Sequence, residues 1–281
     1  MKQRIITALI LAPLVILGIF ELPLALFILA MAVVTGIGFW EWTQFVEHKS
    51  RVSALVPSII VTLISFLLVA TDATSLNSIQ STHYIILGIG AAWWLYSSAL
   101  AITYPRSSQT WQGSNVLRHA FGVLTLLPFL WSAILLRAQG IETDAYYGAK
   151  LVLFVCLIVW AADSGAYFAG RSFGKRKMAP SVSPNKTIEG LIGGIITAII
   201  VAWFAAGWFE LEFSSPTVMI VITFITVIIS VLGDLVESMF KRVSGIKDSS
   251  NIIPGHGGVL DRIDSLTAAF PVFALLYFVL Q

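Results

Sequence analysis

Apolar runs long enough to cross a lipid bilayer recur along the whole chain of 281 residues. A crossing takes about 20 residues, because a helix satisfies its backbone polar groups internally where no water is present. Charged residues form only 11% of the sequence, whereas about 25% is usual in soluble domains. We therefore predict an all-α, polytopic integral membrane protein with roughly nine transmembrane helices, near residues 5–20, 22–39, 53–70, 83–102, 119–136, 150–170, 189–208, 217–235 and 265–280.

The positively charged residues predict how these helices are oriented. With a cytoplasmic N-terminus and alternating helices, Arg137 and Lys150 are the only two of the 17 lysines and arginines on the outer side. Lysine and arginine are retained in cytoplasmic loops, so we predict a cytoplasmic N-terminus and an outer C-terminus. Lys2 and Arg4 precede the first apolar run as in a signal peptide. No cleavage site of the A-x-A type follows, so we interpret the run as the first transmembrane helix.

Other general features exclude or favour particular roles. The single cysteine, Cys156, excludes an intrachain disulfide and disfavours a metal site built on thiolates. The net charge of +2 is too small to indicate nucleic-acid binding.

Four tryptophans lie near the ends of predicted helices or within them, and we interpret them as anchors at the membrane interface: Trp93, Trp94, Trp111 and Trp131. After about residue 150, the predicted cytoplasmic side becomes rich in charge, glycine and proline.

The first polar group on that side surrounds Asp163. This carboxylate lies within an apolar helix, where it costs several kcal/mol unless it is paired or hydrated. A functional role and a structural ion pair both remain open. The following glycines, Gly170 and Gly174, precede Lys175, but the spacing is not that of a P-loop, and no strand comes before it. We therefore exclude a Walker-type nucleotide site.

The second group covers residues 183–190. Ser183 followed by Pro184 predicts a helix N-cap with proline in the first turn. The N-terminus of a helix attracts anions, and Lys186 and Thr187 add donors beside it. The alternative is an ordinary helix start with a lysine that follows the charge rule of membrane loops.

The third and densest group extends from Asp234 to Asp264. The pairs Asp234/Glu237 and Asp261/Asp264 have the spacing of one helical face. These two helix ends are joined by a loop, so they can converge, and Mg²⁺ would relieve the repulsion between their carboxylates. Zn²⁺ is disfavoured, because one histidine without a nearby cysteine is the wrong ligand set.

Basic residues and glycines fill the rest of this segment. Four cations are suited to phosphate oxygens: Lys241, Arg242, Lys247 and Arg262. Glycines at 255, 257 and 258 allow the backbone to approach a ligand closely. His256 would donate to a phosphate or contact a base, or it is a hydrogen-bonded loop residue. The residue types together predict metal-assisted chemistry on a polyphosphate, with a lipid as the second substrate.

The order of these residues resembles a known family signature. Ser238-x-Phe240-Lys241-Arg242, then Lys247-Asp248, then Pro254-x-His256-Gly257-Gly258-x-x-Asp261-Arg262-x-Asp264 is similar to the signature of the phosphatidate cytidylyltransferase (CDP-diglyceride synthase) family. The 183–190 segment and the Asp163 region also resemble it. The resemblance implies that CTP and phosphatidic acid give CDP-diacylglycerol and pyrophosphate, a step of phospholipid biosynthesis, in the cytoplasmic (inner) membrane of a bacterium with the site on the cytoplasmic face.

The resemblance also implies roles and partners. It makes Asp234 and Asp261 the metal ligands for Mg²⁺, with Asp264 and Asp248 as the next candidates, and it leaves a second cation and a homodimer open. From the distribution of charge along the chain we predict one membrane domain over residues 1–281, with 1–150 as a helical scaffold and 151–281 as the catalytic part. The catalytic set is Asp234, Asp261, Asp264, Lys247 and Arg262, and the substrate-binding set is Asp163, Lys186, Thr187, Lys241, Arg242, Asp248, His256, Gly257 and Gly258.

Three other functions stay open at this stage. A CTP-dependent polyprenol or phytol kinase shares the membrane setting, but its hydroxyl nucleophile would require a general base. A secondary transporter coupled through Asp163 or Asp234 is disfavoured, because the sequence has no internal repeat and its charges lie at helix ends. An inactive paralogue is disfavoured because every charged position of the signature is present.

Overall fold

The computed structural model describes residues 2–47 and 50–281, without the side chains of residues 2–6 and 8. Most of the described chain is helical. Its helices are α1 (Lys2–Glu21), α2 (Leu24–Trp42), α3 (Arg51–Leu68), the short α4 (Ala73–Asn77), α5 (Ser81–Ile102), α6 (Asn115–Ala138), α7 (Tyr147–Phe173), α8 (Ile188–Phe209), α9 (Pro216–Val243) and α10 (Leu260–Leu280). Two short strands, β1 (Lys177–Ala179) and β2 (Ser183–Thr187), pair antiparallel between α7 and α8.

The predicted class, an all-α polytopic membrane protein, is confirmed. Each predicted apolar run overlaps one long helix, although several helices extend a turn or more beyond the predicted bounds. Among the residues described, eight helices are long and apolar enough to cross a membrane, and the apolar part of α1, Leu9–Glu21, is shorter. The number of crossings and the orientation of the termini stay predictions.

Helix α6 lies at the centre of the bundle and packs against α2, α3, α5, α7 and α10. Helices α7 and α8 approach each other along a stripe of small residues. A β-carbon added at Gly165 would collide with Thr197, and one added at Gly193 would collide with Ala169. Small residues let membrane helices approach closely where no hydrophobic effect drives them together. This contact fixes the position of Asp163, which lies on the same helix.

The four tryptophans that were expected at the interface lie inside the bundle, so that prediction is wrong. Trp94 is 1% exposed and Trp131 is fully buried. The indole N–H of Trp93 donates to Thr125 Oγ1 at 3.0 Å, and that of Trp131 donates to Ser65 Oγ at 3.0 Å. Trp111 is also buried and lies 5.0 Å from the ring of Phe240. Large rings fill the space between helices. The indole N–H groups of Trp93 and Trp131 have partners on neighbouring helices, whereas those of Trp94 and Trp111 have none among the residues described.

The start of α8 also differs from the prediction. Ser183 is not a helix cap, because its segment forms β2 and pairs with β1 through Lys177↔Thr187 and Ala179↔Ser183. Pro184 is tolerated in a two-stranded ribbon, where every strand is an edge. Thr187 is the actual N-cap, and its Oγ1 accepts a hydrogen bond from the Gly190 N–H at 3.1 Å. The strand pairing therefore moves the helix start four residues along the chain.

Candidate active site

A cavity of about 780 Å³ lies among α1, α2, α6, α7, α9, α10 and the loop 244–259. The polarity of its lining varies. Charged side chains come from α7, α9, α10 and the loop, whereas α1, α2 and α6 contribute apolar ones. The charged lining consists of residues that the sequence singled out: Asp163, Asp234, Lys241, Asp248, His256, Asp261, Arg262 and Asp264. Two of the three polar groups of the sequence, the one around Asp163 and the one from Asp234 to Asp264, thus converge on one cavity.

Asp234 occupies a central place among these side chains. Its Oδ2 forms an ion pair with Lys186 Nζ at 2.6 Å, and the same ammonium donates to the Val231 carbonyl at 3.2 Å. Asp234 also interacts electrostatically with Asp163 of α7 and with Asp264 of α10. The end of β2 brings Lys186 over α9, so the hairpin supplies a cation to a helix that is far away in sequence.

Lys241 and Asp261 form a second ion pair, between α9 and α10. Lys241 Nζ lies 2.6 Å from Asp261 Oδ1 and 3.2 Å from Glu237 Oε1, one turn earlier on α9. Glu237 and Asp261 are both buried. Removing one partner of a buried ion pair leaves an uncompensated charge, which destabilises strongly. The pair therefore fixes where the two helices face each other.

The second oxygen of Asp261 organises the glycine-rich loop. Oδ2 accepts hydrogen bonds from Ser249 N at 2.9 Å, Ser249 Oγ at 3.0 Å and Gly258 N at 2.7 Å. Gly257 has a φ of 83°, and a β-carbon there would lie 2.5 Å from this oxygen. Glycine is required at a position with positive φ and close approach. In this structure the approach of the glycines is to the carboxylates of the protein itself.

Sequence reasoning missed Glu41, which lies in the last turn of α2 and is fully buried. Its Oε1 accepts from Val259 N at 3.0 Å and Ser250 Oγ at 2.5 Å, and its Oε2 accepts from Leu260 N at 2.6 Å. The carboxylate therefore caps α10 from another helix and compensates the positive end of that helix. The sequence did contain a signal for Glu41: like Asp163, it is an acidic residue within an apolar run.

Six predicted site residues do not line the cavity: Lys186, Thr187, Arg242, Lys247, Gly257 and Gly258. Thr187 is buried as the cap of α8, and Arg242 is exposed and donates to the Val182 carbonyl at 3.2 Å. Lys247 is exposed on the loop between α9 and α10. Gly257 and Gly258 shape the loop backbone beside Asp261. His256 does line the cavity, and its buried Nδ1 has no hydrogen-bond partner among the residues described.

Comparison with known proteins identifies the family. Residues 2–280 match the model of the family described as "Cytidylyltransferase family". The chain belongs to this family. It is similar to phosphatidate cytidylyltransferase of Haemophilus influenzae, with 44% identity over 99% of both chains, and to that of Pseudomonas aeruginosa, with 40% identity over 98% of this chain and 96% of the relative. A third relative of the same name, from Bacillus subtilis, is 48% identical over 48% of both chains.

Family membership makes the protein a nucleotidyltransferase. The prediction of an enzyme of this class is therefore confirmed. A nucleotidyl transfer brings phosphate anions together, and such a reaction depends mainly on positioning and on neutralising charge. Lys241 and Arg262 place an ammonium and a guanidinium in the lining, and Lys186 is paired with the lining residue Asp234.

The carboxylates at the cavity also fit a hard divalent cation. Mg²⁺ is commonly bound by one or two carboxylates, with waters and substrate phosphates as its other ligands. Within the described ranges, no group of three or more His, Cys, Asp or Glu side chains is arranged to hold a metal by itself. Asp234 and Asp261, which both line the cavity, carry the oxygen ligands that Mg²⁺ prefers.

Proposed function

We propose that this enzyme transfers CMP from CTP to phosphatidic acid, giving CDP-diacylglycerol and pyrophosphate for phospholipid biosynthesis. One observation carries the proposal: a single cavity combines a cluster of ionic side chains with apolar walls inside a helical membrane protein. A substrate with a phosphate headgroup and fatty tails matches both parts. The names of the two relatives aligned over nearly the whole chain support the same reaction.

The reaction requires one bond to form and one to break. An oxygen of the phosphatidate phosphate attacks the α-phosphorus of CTP, and the bond from that phosphorus to the oxygen bridging the β-phosphorus breaks. Pyrophosphate leaves with the electron pair. A phosphate monoester is already anionic near neutral pH, so the nucleophile needs no strong general base. The task of the protein is to hold the two anions together and in line.

The basic side chains would perform this neutralisation. Lys186 and Lys241 are each paired with a carboxylate, which orients both ammonium groups. Arg262 and His256 line the same cavity and would donate to phosphate oxygens. Arg242 and Lys247 are exposed at the end of α9 and on the following loop, and we assign them to the triphosphate of incoming CTP.

Asp234 and Asp261 would hold Mg²⁺, with Asp264 and Asp248 as the next candidates, and the same acidic lining leaves room for a second cation. When bound, Mg²⁺ supplies charge neutralisation at the phosphate oxygens. The Oδ2 of Asp261 is committed to loop hydrogen bonds, whereas its Oδ1 contacts only Lys241 among its assigned partners. Oδ1 is therefore the atom of Asp261 available to a cation.

The active site would face the cytoplasm of a bacterial cell, in the inner membrane. The support is the distribution of charge: apart from Arg137 and Lys150, all lysines and arginines are assigned to one side of the membrane. That side includes the ends of α7, α9 and α10 that contribute Asp163, Lys241 and Asp261 to the cavity. CTP is available in the cytoplasm, which agrees with this orientation.

An assay of the purified protein with CTP, Mg²⁺ and phosphatidic acid tests the proposal. We expect pyrophosphate and CDP-diacylglycerol in equal amounts, and neither product when Mg²⁺ is replaced by a chelator. A parallel reaction with polyprenol or phytol in place of phosphatidic acid serves as the control. CDP and a lipid phosphate in that reaction, without cytidylated lipid in the first, would identify a kinase instead.

A further inference from the structure

The cavity continues away from its charged residues into an apolar section, here called the apolar arm. Helices α1, α2, α6, α7 and α10 form its wall. The residues of the arm used below are Ile19, Phe27, Phe129, Ala133, Val152 and Cys156, all of them buried.

The order of residues on α7 shows how the arm runs. Val152, Cys156, Trp160 and Asp163 all line the cavity at spacings of four, four and three residues, which is one face of a helix. Eleven residues separate Val152 from Asp163, about 16 Å along the helix axis. The arm therefore extends about 16 Å from the carboxylate cluster into the membrane-spanning part of the protein.

The other helices agree on where the arm ends. Ile19 lies near the end of α1, Phe27 near the start of α2, and Ala133 in the last turns of α6. Arg137 lies one turn beyond Ala133 on α6. Its Nε donates to the Ile19 carbonyl at 2.9 Å, and its guanidinium also donates to the Leu22 carbonyl at 3.2 Å. These bonds tie α6 to the turn between α1 and α2.

We propose that the apolar arm binds one acyl chain of the phosphatidic acid substrate, and that Ile19, Phe27, Ala133 and Val152 limit the length of that chain. The inference rests on the proposed function. The arm continues directly from the ionic end of the same cavity, so a lipid whose phosphate lies there has one tail aligned with the arm. A polar occupant would lose its hydrogen bonds against this wall.

Ala133 is the position that tests the limit most sharply. It is the smallest of these four side chains, and a larger residue there would shorten the arm. Each methylene that no longer fits corresponds to a loss of about fourfold in affinity. Ala133→Phe is therefore expected to lower kcat/KM for dipalmitoyl phosphatidic acid at least about tenfold relative to dioctanoyl phosphatidic acid, through a higher KM.

Ala120→Phe is the matched control, because Ala120 is exposed on the same helix and does not line the cavity. Its ratio of kcat/KM for the two lipids should equal that of the wild-type protein. An unchanged ratio in Ala133→Phe, with a protein that is folded and active, would overturn the proposal.

Cys156 allows a second measurement on the unmutated protein. It is the only cysteine in the chain and lies on the wall of the arm. We expect dipalmitoyl phosphatidic acid, without CTP, to slow the alkylation of this thiol by N-ethylmaleimide at least about fivefold. sn-Glycerol 3-phosphate has the headgroup without tails and should give no protection, and dipalmitoyl phosphatidylcholine should give little.

Each result of the thiol experiment bears on one hypothesis. Equal protection by phosphatidic acid and phosphatidylcholine, or protection by glycerol phosphate alone, would overturn the assignment of the arm even if the enzyme makes CDP-diacylglycerol. Selective protection by phosphatidic acid in a protein that fails to make CDP-diacylglycerol would instead contradict the proposed reaction and leave the arm as a lipid-binding site.

Discussion

Residues 1–150 and residues 151–281 contribute to the active site in different ways. The second region supplies the ionic side chains of the cavity, from Asp163 on α7 to Asp264 on α10. The first region supplies apolar wall residues and one buried carboxylate, Glu41, which holds the loop that contains the signature glycines. The ionic residues that would contact phosphates therefore belong to sequence motifs of the second region. Glu41, which positions the loop, belongs to the first region, where the sequence has no motif.

The largest effect is expected in the second region. Asp261→Asn should reduce turnover at least about 100-fold, because it removes the charge that pairs with Lys241 and contacts the loop. Membrane insertion should survive, since the helices remain apolar. The measurement is pyrophosphate release by protein recovered from membranes in normal amount. Glu142→Gln, an exposed substitution in the loop before α7, is the control. Turnover near the wild-type rate in Asp261→Asn would remove Asp261 from the proposed chemistry.

The second-largest effect on turnover is expected at Glu41, although this residue belongs to the first region. Glu41→Ala leaves the N–H groups of Val259 and Leu260 without their acceptor, which costs about 1–3 kcal/mol for each unsatisfied group. We expect a lower thermal unfolding temperature together with at least about a tenfold loss of kcat. If Glu41→Ala keeps the wild-type kcat, the first region does not position the site.

Gly258 lies where the two regions meet. A β-carbon at this position would collide with Ser249 Oγ and would lie 2.6 Å from Glu41 Oε1. Gly258→Ala should therefore destabilise the protein by about 1–3 kcal/mol, as overpacking does. Gly113→Ala is the matched control, because a β-carbon there meets nothing within 4 Å. Thermal unfolding of both variants measures the difference, and equal unfolding temperatures would contradict the packing of the loop against Glu41.

The smallest effect is expected at Lys247, which is exposed and does not line the cavity. Lys247→Ala should raise KM for CTP only about two- to fivefold, and the effect should weaken with added salt because solvent screens exposed charges. Arg106→Ala, another exposed cation on the predicted cytoplasmic side, should leave KM unchanged. A large loss of kcat in Lys247→Ala would show that the loop moves this residue into the cavity during the reaction.

Local patterns in the sequence predicted some elements well and others poorly. The apolar runs predicted the long helices, because hydropathy is a property of each segment alone. Ser183 was wrongly predicted as a helix cap, since its pairing with Ala179 involves a neighbouring segment that the cap pattern ignores. Trp131 was placed at the interface by its type, but Ser65 on another helix provides the acceptor that allows its burial.

The sequence by itself determined that the chain is a helical membrane protein and which charged residues are grouped into motifs, because composition and motif order are fixed along the chain. Only the tertiary structure decided how these residues are paired. Lys186 meets Asp234 because a hairpin crosses α9, and Glu41 meets Leu260 across 219 residues because α2 packs near the start of α10. Such contacts depend on how helices pack against each other, which no single segment encodes. The same packing creates the apolar arm beside the ionic cluster.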